Sequence, residues 1–273
     1  PRKKELAENC HPFAVEIKDF TKPVDIPAVD VPAGYTTLFV FPYSVGFQFS
    51  GFKNLAALNE AITKRLKNLG VTTLLFMRHL ELIEYEIKIP GKEASGEYLL
   101  DAEPINDHCT RVSAIESEDD KTDESLSFIK FSMPIDSMVS TRTIDVAFTV
   151  ATDKEGKTTF QKAKNPYISV YFPTETESKL DFIVQGPFRT TPNRSSVPAD
   201  EEENEALAEQ TAKLLRQSVL ELRDMGLLDL SLIRILPLDE DDFDVYPLFY
   251  PLYEEMRDLF SSERVLPVKD GKG

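Results

Sequence analysis

Cysteine and histidine are scarce in this chain of 273 residues. Its two cysteines, Cys10 and Cys109, exclude a disulfide-rich secreted scaffold, which needs several cysteine pairs. Each cysteine adjoins a histidine, His11 or His108. Adjacent residues of an extended chain point to opposite faces, so both members of each pair would struggle to reach one zinc ion. We therefore predict no metal site.

Long apolar runs are also absent. No stretch approaches the roughly 18 apolar residues that a membrane-spanning helix needs. The basic start at residues 1–10 has no apolar region behind it, so no signal peptide is visible. We predict a cytoplasmic protein without a membrane partner.

Positive charge is in deficit. Forty-seven acidic residues against 31 basic ones give a net charge of -16. This balance repels a nucleic-acid backbone, and no local basic patch overrides it. The acidic runs at 115–124, 200–205 and 239–244 are typical of solvated loops and helix starts. The sequence therefore predicts no nucleic-acid partner.

Familiar catalytic motifs are missing as well. The chain has no nucleophile elbow, phosphate-binding loop, dinucleotide-binding loop or zinc-protease motif. Three histidines offer few candidates for a histidine-assisted nucleophile, and no spacing selects a glycosidase pair among the carboxylates. We expect no catalysis by the isolated chain.

What is present predicts an α+β fold with mixed or antiparallel sheets, packed helices and a helical C-terminal segment. Short runs rich in apolar, aromatic and β-branched residues predict strands at 35–43, 82–89, 97–103, 110–116, 126–133, 143–150, 167–172 and 179–184. Helical spacing predicts helices at 54–69, 200–225, 230–236 and 246–260, the second of them with Asp200 as N-cap and Gly226 as its stop. The short strands between 97 and 150 suggest an antiparallel meander.

The segment TTPNRS at 190–195 is the candidate anion site. Pro192 and Asn193 favour a turn, and Arg194 follows them just upstream of a predicted helix. An arginine held in this way can donate several hydrogen bonds to a phosphate. The alternative is that Arg194 pairs with the acidic helix start at residues 201–203.

Several blocks carry a family resemblance. TTLFVFPY at 36–43 and LLFMRHLELIEYEI at 74–87 resemble the end of the ATP-binding domain in sacsin and its bacterial relatives, which share the GHKL fold of heat-shock chaperones. YISVYFPTETESKLDFIVQGPFRTTPNR at 167–194 resembles a later segment of those proteins, in which a strand leads to an "NR" or "SR" motif. LLDLSLIRILPLD at 227–239 and SSERVLPVKDG at 261–271 are also similar to that group.

The resemblance implies roles for three residues. Thr37 matches a threonine that lines the adenine pocket, although a threonine that simply fills a strand position is the alternative. Arg194 matches an arginine that reaches the γ-phosphate. Asn193, its neighbour in the NR motif, is implied as a second nucleotide-binding residue.

The chain departs from the family pattern in one respect. The helix with glutamate and asparagine, the DxGxG loop and the glycine-rich lid of the GHKL site do not occur in it. The resemblance therefore implies a fragment of a chaperone-like ATPase, in which ATP and Mg²⁺ are bound by a missing N-terminal domain. We expect residues 1–89 to end an ATPase domain, 90–198 to form a strand-rich middle domain and 199–273 to form a helical segment.

A second hypothesis belongs to another class of protein. The chain could be a non-enzymatic module that binds a client or partner protein without coupling to nucleotide. Its acidic surface would then tune solubility and partner choice.

Overall fold

The computed structural model describes residues 54–77, 79–118, 124–135 and 142–266. Within them, nine strands form one sheet and helices pack on it, which confirms the predicted α+β class. The strand expected at 35–43, and Thr37 with it, lies outside the described residues. No helix in the described part of the chain is long and apolar enough to cross a membrane.

The strands are β1 (Leu82–Ile89), β2 (Lys92–Pro104), β3 (Cys109–Glu118), β4 (Glu124–Pro134), β5 (Thr143–Thr152), β6 (Thr158–Gln161), β7 (Tyr167–Val170), β8 (Phe172–Glu177) and β9 (Ile183–Gln185). Four of the first five strands lie close to their predicted positions, whereas β2 begins five residues earlier than predicted and no strand was predicted at 158–161.

β2 to β5 form the expected antiparallel meander, and β1 extends it by one further antiparallel strand. The other side of β5 is shared, because β9 pairs with its first half and β6 with its second half. β9 also pairs in parallel with β7, and β7 pairs with β8, the last strand in the sheet order. The sheet therefore consists of long strands from β1 to β5 and of short, irregularly paired strands near its β8 edge.

The helices are α1 (Leu55–Lys67), α2 (Glu202–Asp224), α3 (Leu230–Ile233) and α4 (Tyr250–Ser262), with 3₁₀ turns at Val71–Leu74, Glu240–Phe243 and Pro247–Phe249. The helix expected at 230–236 is thus shorter than predicted. The helix expected at 246–260 begins with a 3₁₀ turn, because Pro247 and Pro251 cannot donate backbone hydrogen bonds.

Apolar side chains cover both faces of the sheet. On one face, Phe131 and Phe148 pack with the buried stripe of α2 and with α4. On the other face, Phe128 and Ala147 pack with the segment at 74–76. Because successive strand residues point to opposite faces, β4 and β5 contribute to both clusters, and the centre of the sheet is buried on both sides.

α2 forms where an amphipathic pattern coincides with favourable charge. Its first turn carries three glutamates and its last turn Arg223, as the helix dipole favours. Gly226, at φ 73°, follows the helix end. The predicted N-cap, Asp200, is wrong: Glu201 holds the N-cap position and makes no side-chain capping bond.

The strand predictions at 167–172 and 179–184 are only partly correct. Tyr171 adopts φ 64° and separates β7 from β8. Lys179 adopts φ 63°, in a turn where Ser178 donates to the Pro166 carbonyl. A positive φ interrupts strand pairing, so β9 begins only at Ile183.

The sheet continues through the boundary that we predicted after residue 89, since β1 pairs with β2 across a tight turn. The described residues from 56 onward belong to one compact unit. The three-part division stays a prediction.

Gly96 marks a close approach between β1, β2 and β3. A Cβ there would lie 2.5 Å from the Tyr85 hydroxyl oxygen and 2.8 Å from the Ser117 carbonyl oxygen. We expect Gly96→Ala to lower the free energy of unfolding by about 1–3 kcal/mol, because the backbone must shift. Urea unfolding of the purified chain tests this. A loss below about 0.5 kcal/mol would contradict the packing of Tyr85 over Gly96.

Candidate functional site

The candidate site lies in the connection between β9 and α2. We call residues 186–201 the Arg194 loop. Regular secondary structure is absent from it, and its backbone groups bond to one another, to side chains and to the sheet edge instead. These bonds fix its shape.

The tip of the loop is a tight turn. The Arg194 amide donates to the Thr191 carbonyl over 2.7 Å, with Pro192 and Asn193 between them. The Asn193 Oδ1 atom accepts from the Thr191 hydroxyl at 2.7 Å and from the Ser195 hydroxyl at 3.0 Å. Asn193 thus braces the turn with its side chain, as asparagine commonly does.

Arg194 is exposed and adopts φ 61°. Its guanidinium makes no hydrogen bond or ion pair with any residue that the structure describes. The alternative pairing with the acidic helix start does not form. Arg189 takes that place, with its Nε atom 2.8 Å from the Glu203 carboxylate.

The sheet edge supports one side of the loop. The Glu175 amide of β8 donates to the Ser195 carbonyl at 2.8 Å. The Val197 amide donates to the Thr176 hydroxyl at 3.0 Å, and the Val197 side chain is buried. The residues just after Arg194 are therefore held against β8.

Asn204, in the first turn of α2, supports the other side. Its side chain is fully buried, and its Oδ1 atom accepts from the Arg189 amide at 2.6 Å. Its Nδ2 atom donates to the Arg189 carbonyl at 3.1 Å and to the Pro198 carbonyl at 2.8 Å. One carboxamide thus joins the two ends of the segment that carries Arg194.

Aromatic side chains dock the loop on the helices. The buried Phe188 ring packs edge-on against Phe249, with 5.9 Å between ring centroids. The Tyr246 hydroxyl donates to the Val197 carbonyl at 2.8 Å. The loop is therefore joined to the helical layer as well as to the sheet.

The Tyr246 contact predicts an alkaline stability profile. Burial raises the pKa of Tyr246, because the neutral phenol is favoured in the folded protein. The raised pKa adds to the free energy of unfolding. This stabilisation is fully present below about pH 10, the pKa of tyrosine in the unfolded chain, and is lost as the pH rises towards the pKa in the folded protein. Tyr246→Phe should lower stability by about 1 kcal/mol at neutral pH and make the decline above about pH 10 shallower.

Urea titrations at several alkaline pH values measure this slope. Burial also raises the pKa of Tyr98, whose hydroxyl donates to the Leu66 carbonyl, so Tyr98→Phe provides a comparison away from the loop. An unchanged slope in Tyr246→Phe would contradict the burial of the Tyr246 hydroxyl.

A buried polar cluster precedes the loop. The Asp145 carboxylate accepts from Gln185 Nε2 and from Thr143 Oγ1, each at 3.0 Å, and from the Ser132 hydroxyl. These bonds join β4, β5 and β9 beneath the start of the loop. Asp145 therefore contributes to the register of the strands rather than to an exposed site.

The predicted site residues fare differently. Asn193 and Arg194 are adjacent in one turn, but Thr37 is outside the described residues, so its relation to them stays a prediction. Within the described ranges, no group of three or more histidine, cysteine, aspartate or glutamate residues could hold a metal ion. Sequence reasoning missed Asn204 and Tyr246.

A cavity of about 320 Å³ lies elsewhere on the described surface. Its lining residues are Glu60, Thr63, Lys64, Lys67, Asn68, Lys92 and Glu118. Charges of both signs meet there, and Lys67 already bonds Glu118 at 3.1 Å. None of these residues belongs to the Arg194 loop, so we assign the candidate site to the loop.

Comparison of the chain with protein-family models, curated proteins and solved structures finds no match. The sacsin-like resemblance therefore stays a prediction. The geometry of the Arg194 loop is the observation on which a function must rest.

Proposed function

We propose that the Arg194 loop supplies a cation to the γ-phosphate of ATP bound by another domain of a longer, cytoplasmic, sacsin-like GHKL ATPase. The observation that carries this proposal is the combination of a fixed loop with an unused guanidinium. Arg194 is exposed, while the neighbouring Arg189 is paired with Glu203.

The guanidinium suits this chemistry. Its planar fork donates two parallel hydrogen bonds to phosphate oxygens and keeps its charge at any physiological pH. In phosphoryl transfer, such a cation stabilises the charge that develops on the transferred group. A loop that is already ordered loses little conformational entropy when the phosphate arrives.

The backbone of Arg194 supports a functional reading of the position. A residue with a Cβ at φ 61° carries a cost of about 1 kcal/mol or more, which glycine would avoid. Strained positions of this kind cluster at functional sites.

The division of labour between domains is implied by the sacsin-like resemblance. The GHKL site depends on a helix with glutamate and asparagine and on a DxGxG loop, and this sequence contains neither. Binding of ATP and Mg²⁺ would therefore belong to an N-terminal domain of the longer polypeptide. Arg194 would complete that site when the two domains dock, so that hydrolysis depends on docking.

Steady-state ATP hydrolysis by the longer polypeptide tests the proposal. Arg194→Ala should lower turnover and leave nucleotide affinity nearly intact. Unchanged turnover in Arg194→Ala would contradict the proposal and favour the alternative, a protein-binding module without nucleotide coupling.

A further inference from the structure

Three buried polar side chains lie along one line of α2 at intervals of seven residues. They are Asn204, Thr211 and Ser218, and each is fully buried. The Thr211 and Ser218 hydroxyls donate to carbonyls one turn earlier in their own helix, those of Leu207 and Leu214. Asn204 differs, because all three of its side-chain bonds leave the helix.

The Asn204 carboxamide has one acceptor oxygen and two donor hydrogens, and each of them has a partner in the loop. One oxygen receives the Arg189 amide hydrogen, and the two hydrogens of the nitrogen go to two different carbonyls, those of Arg189 and Pro198. No other side chain of similar size offers one acceptor and two donors in this geometry. The Asn204 carboxamide is fully buried, so each broken bond leaves one of its polar atoms without a partner.

We propose that Asn204 is the positioning residue for Arg194, and this inference rests on the proposed function. Arg194 lies five residues after Arg189 and four before Pro198, close to the middle of the segment that Asn204 closes. Fixing both ends of a ten-residue segment at one side chain restricts the paths of the residues between them. Asn204 thereby sets the place and direction of the guanidinium without touching the nucleotide.

Trypsin provides a readout of loop order that needs no ATPase activity. Cleavage after Arg194 requires the loop to open locally, so its rate under native conditions reports how often the loop opens. We expect Asn204→Ala to raise this rate about tenfold or more, since three hydrogen bonds close the segment. Mass spectrometry assigns the cleaved bond.

Asn204→Asp serves as a second variant of nearly the same volume, in case Asn204→Ala does not fold. It keeps an acceptor for the Arg189 amide but sets a carboxylate oxygen against two carbonyls, so cleavage after Arg194 should again rise. Thr211→Val is the matched control. It removes a buried hydroxyl from the same line of α2 without touching the loop, and its cleavage rate should stay within about twofold of wild type.

Turnover in the longer polypeptide supplies the second readout. Asn204→Asp should lower kcat by a larger factor than it raises KM. In the Arg194→Ala background, Asn204→Asp should cause no further loss of kcat, because both substitutions act through the Arg194 guanidinium. Cleavage that does not rise, or that rises equally in Thr211→Val, overturns the positioning role. An additive loss of kcat in the double variant also overturns it.

The two proposals can fail separately. If Arg194→Ala leaves turnover unchanged, the proposed function is wrong, whatever the trypsin result. If Arg194→Ala lowers turnover but Asn204→Asp does not, only the role of Asn204 is wrong.

Discussion

Replacing Arg194 with alanine is expected to slow ATP hydrolysis about a thousandfold in a polypeptide that also carries the nucleotide-binding domain. The guanidinium acts on charge that develops during phosphoryl transfer, so its loss should lower kcat. The affinity for ATP should change by less than about threefold, because in the proposed arrangement another domain makes most of the contacts with ground-state ATP. Steady-state kinetics and equilibrium binding of a fluorescent nucleotide measure the two effects.

Matched variants separate this effect from general damage. Arg194→Lys keeps the positive charge but lacks the planar guanidinium that donates two parallel hydrogen bonds, so its kcat should lie between those of wild type and Arg194→Ala. Arg194→Gly should be as inactive as Arg194→Ala but no less stable, since glycine tolerates φ 61°. Arg223→Ala removes the same charge at the opposite end of α2, where Arg223 pairs with Asp224, and should leave kcat unchanged. Equal losses in Arg223→Ala and Arg194→Ala would contradict a specific role.

Phe148→Ala is expected to cause the largest loss of stability, about 3–5 kcal/mol. The ring is fully buried in β5 and lies 5.3 Å from Phe182, 6.0 Å from Phe160 and 6.2 Å from Phe131, between ring centroids. Its removal leaves a cavity between the sheet and the helical layer. At about 2–4 °C for each kcal/mol, the melting temperature should fall by about 10 °C.

The control for this variant is Phe172→Ala on β8. Phe172 is 54% exposed, so its loss should change the melting temperature by no more than about 2 °C. Thermal unfolding followed by circular dichroism compares the two. Similar shifts would contradict the burial of Phe148 at the centre of the core.

The regular part of the fold could be predicted from sequence because its signals are local. Apolar residues at every second position from Ile144 to Val150 mark β5, the apolar-rich run at 126–133 marks β4, and an apolar stripe with acidic and basic ends marks α2. The segment at 171–182 could not be predicted in this way. Its course depends on two positive φ values, at Tyr171 and Lys179, and on the distant Pro166 carbonyl that accepts from Ser178.

One part of the candidate site could be predicted from the sequence and another part could not. Pro192 and Asn193 predict the turn, and in this turn the cationic side chain of Arg194 is exposed. The choice of Arg189 as partner for Glu203 depends on how the loop meets α2, which spacing alone does not reveal. Asn204 did leave a signal, because a carboxamide on the apolar stripe of an amphipathic helix is unusual unless it is satisfied by a partner outside the helix.

The most direct measurement of the central claim is the retention of ADP with aluminium fluoride, a mimic of the phosphoryl group in transfer. We expect the longer polypeptide with Arg194 to hold this complex about a hundredfold more tightly than its Arg194→Ala variant, while both bind ADP alone equally well. Equal retention of the complex by the two proteins would contradict a role for Arg194 in phosphoryl transfer.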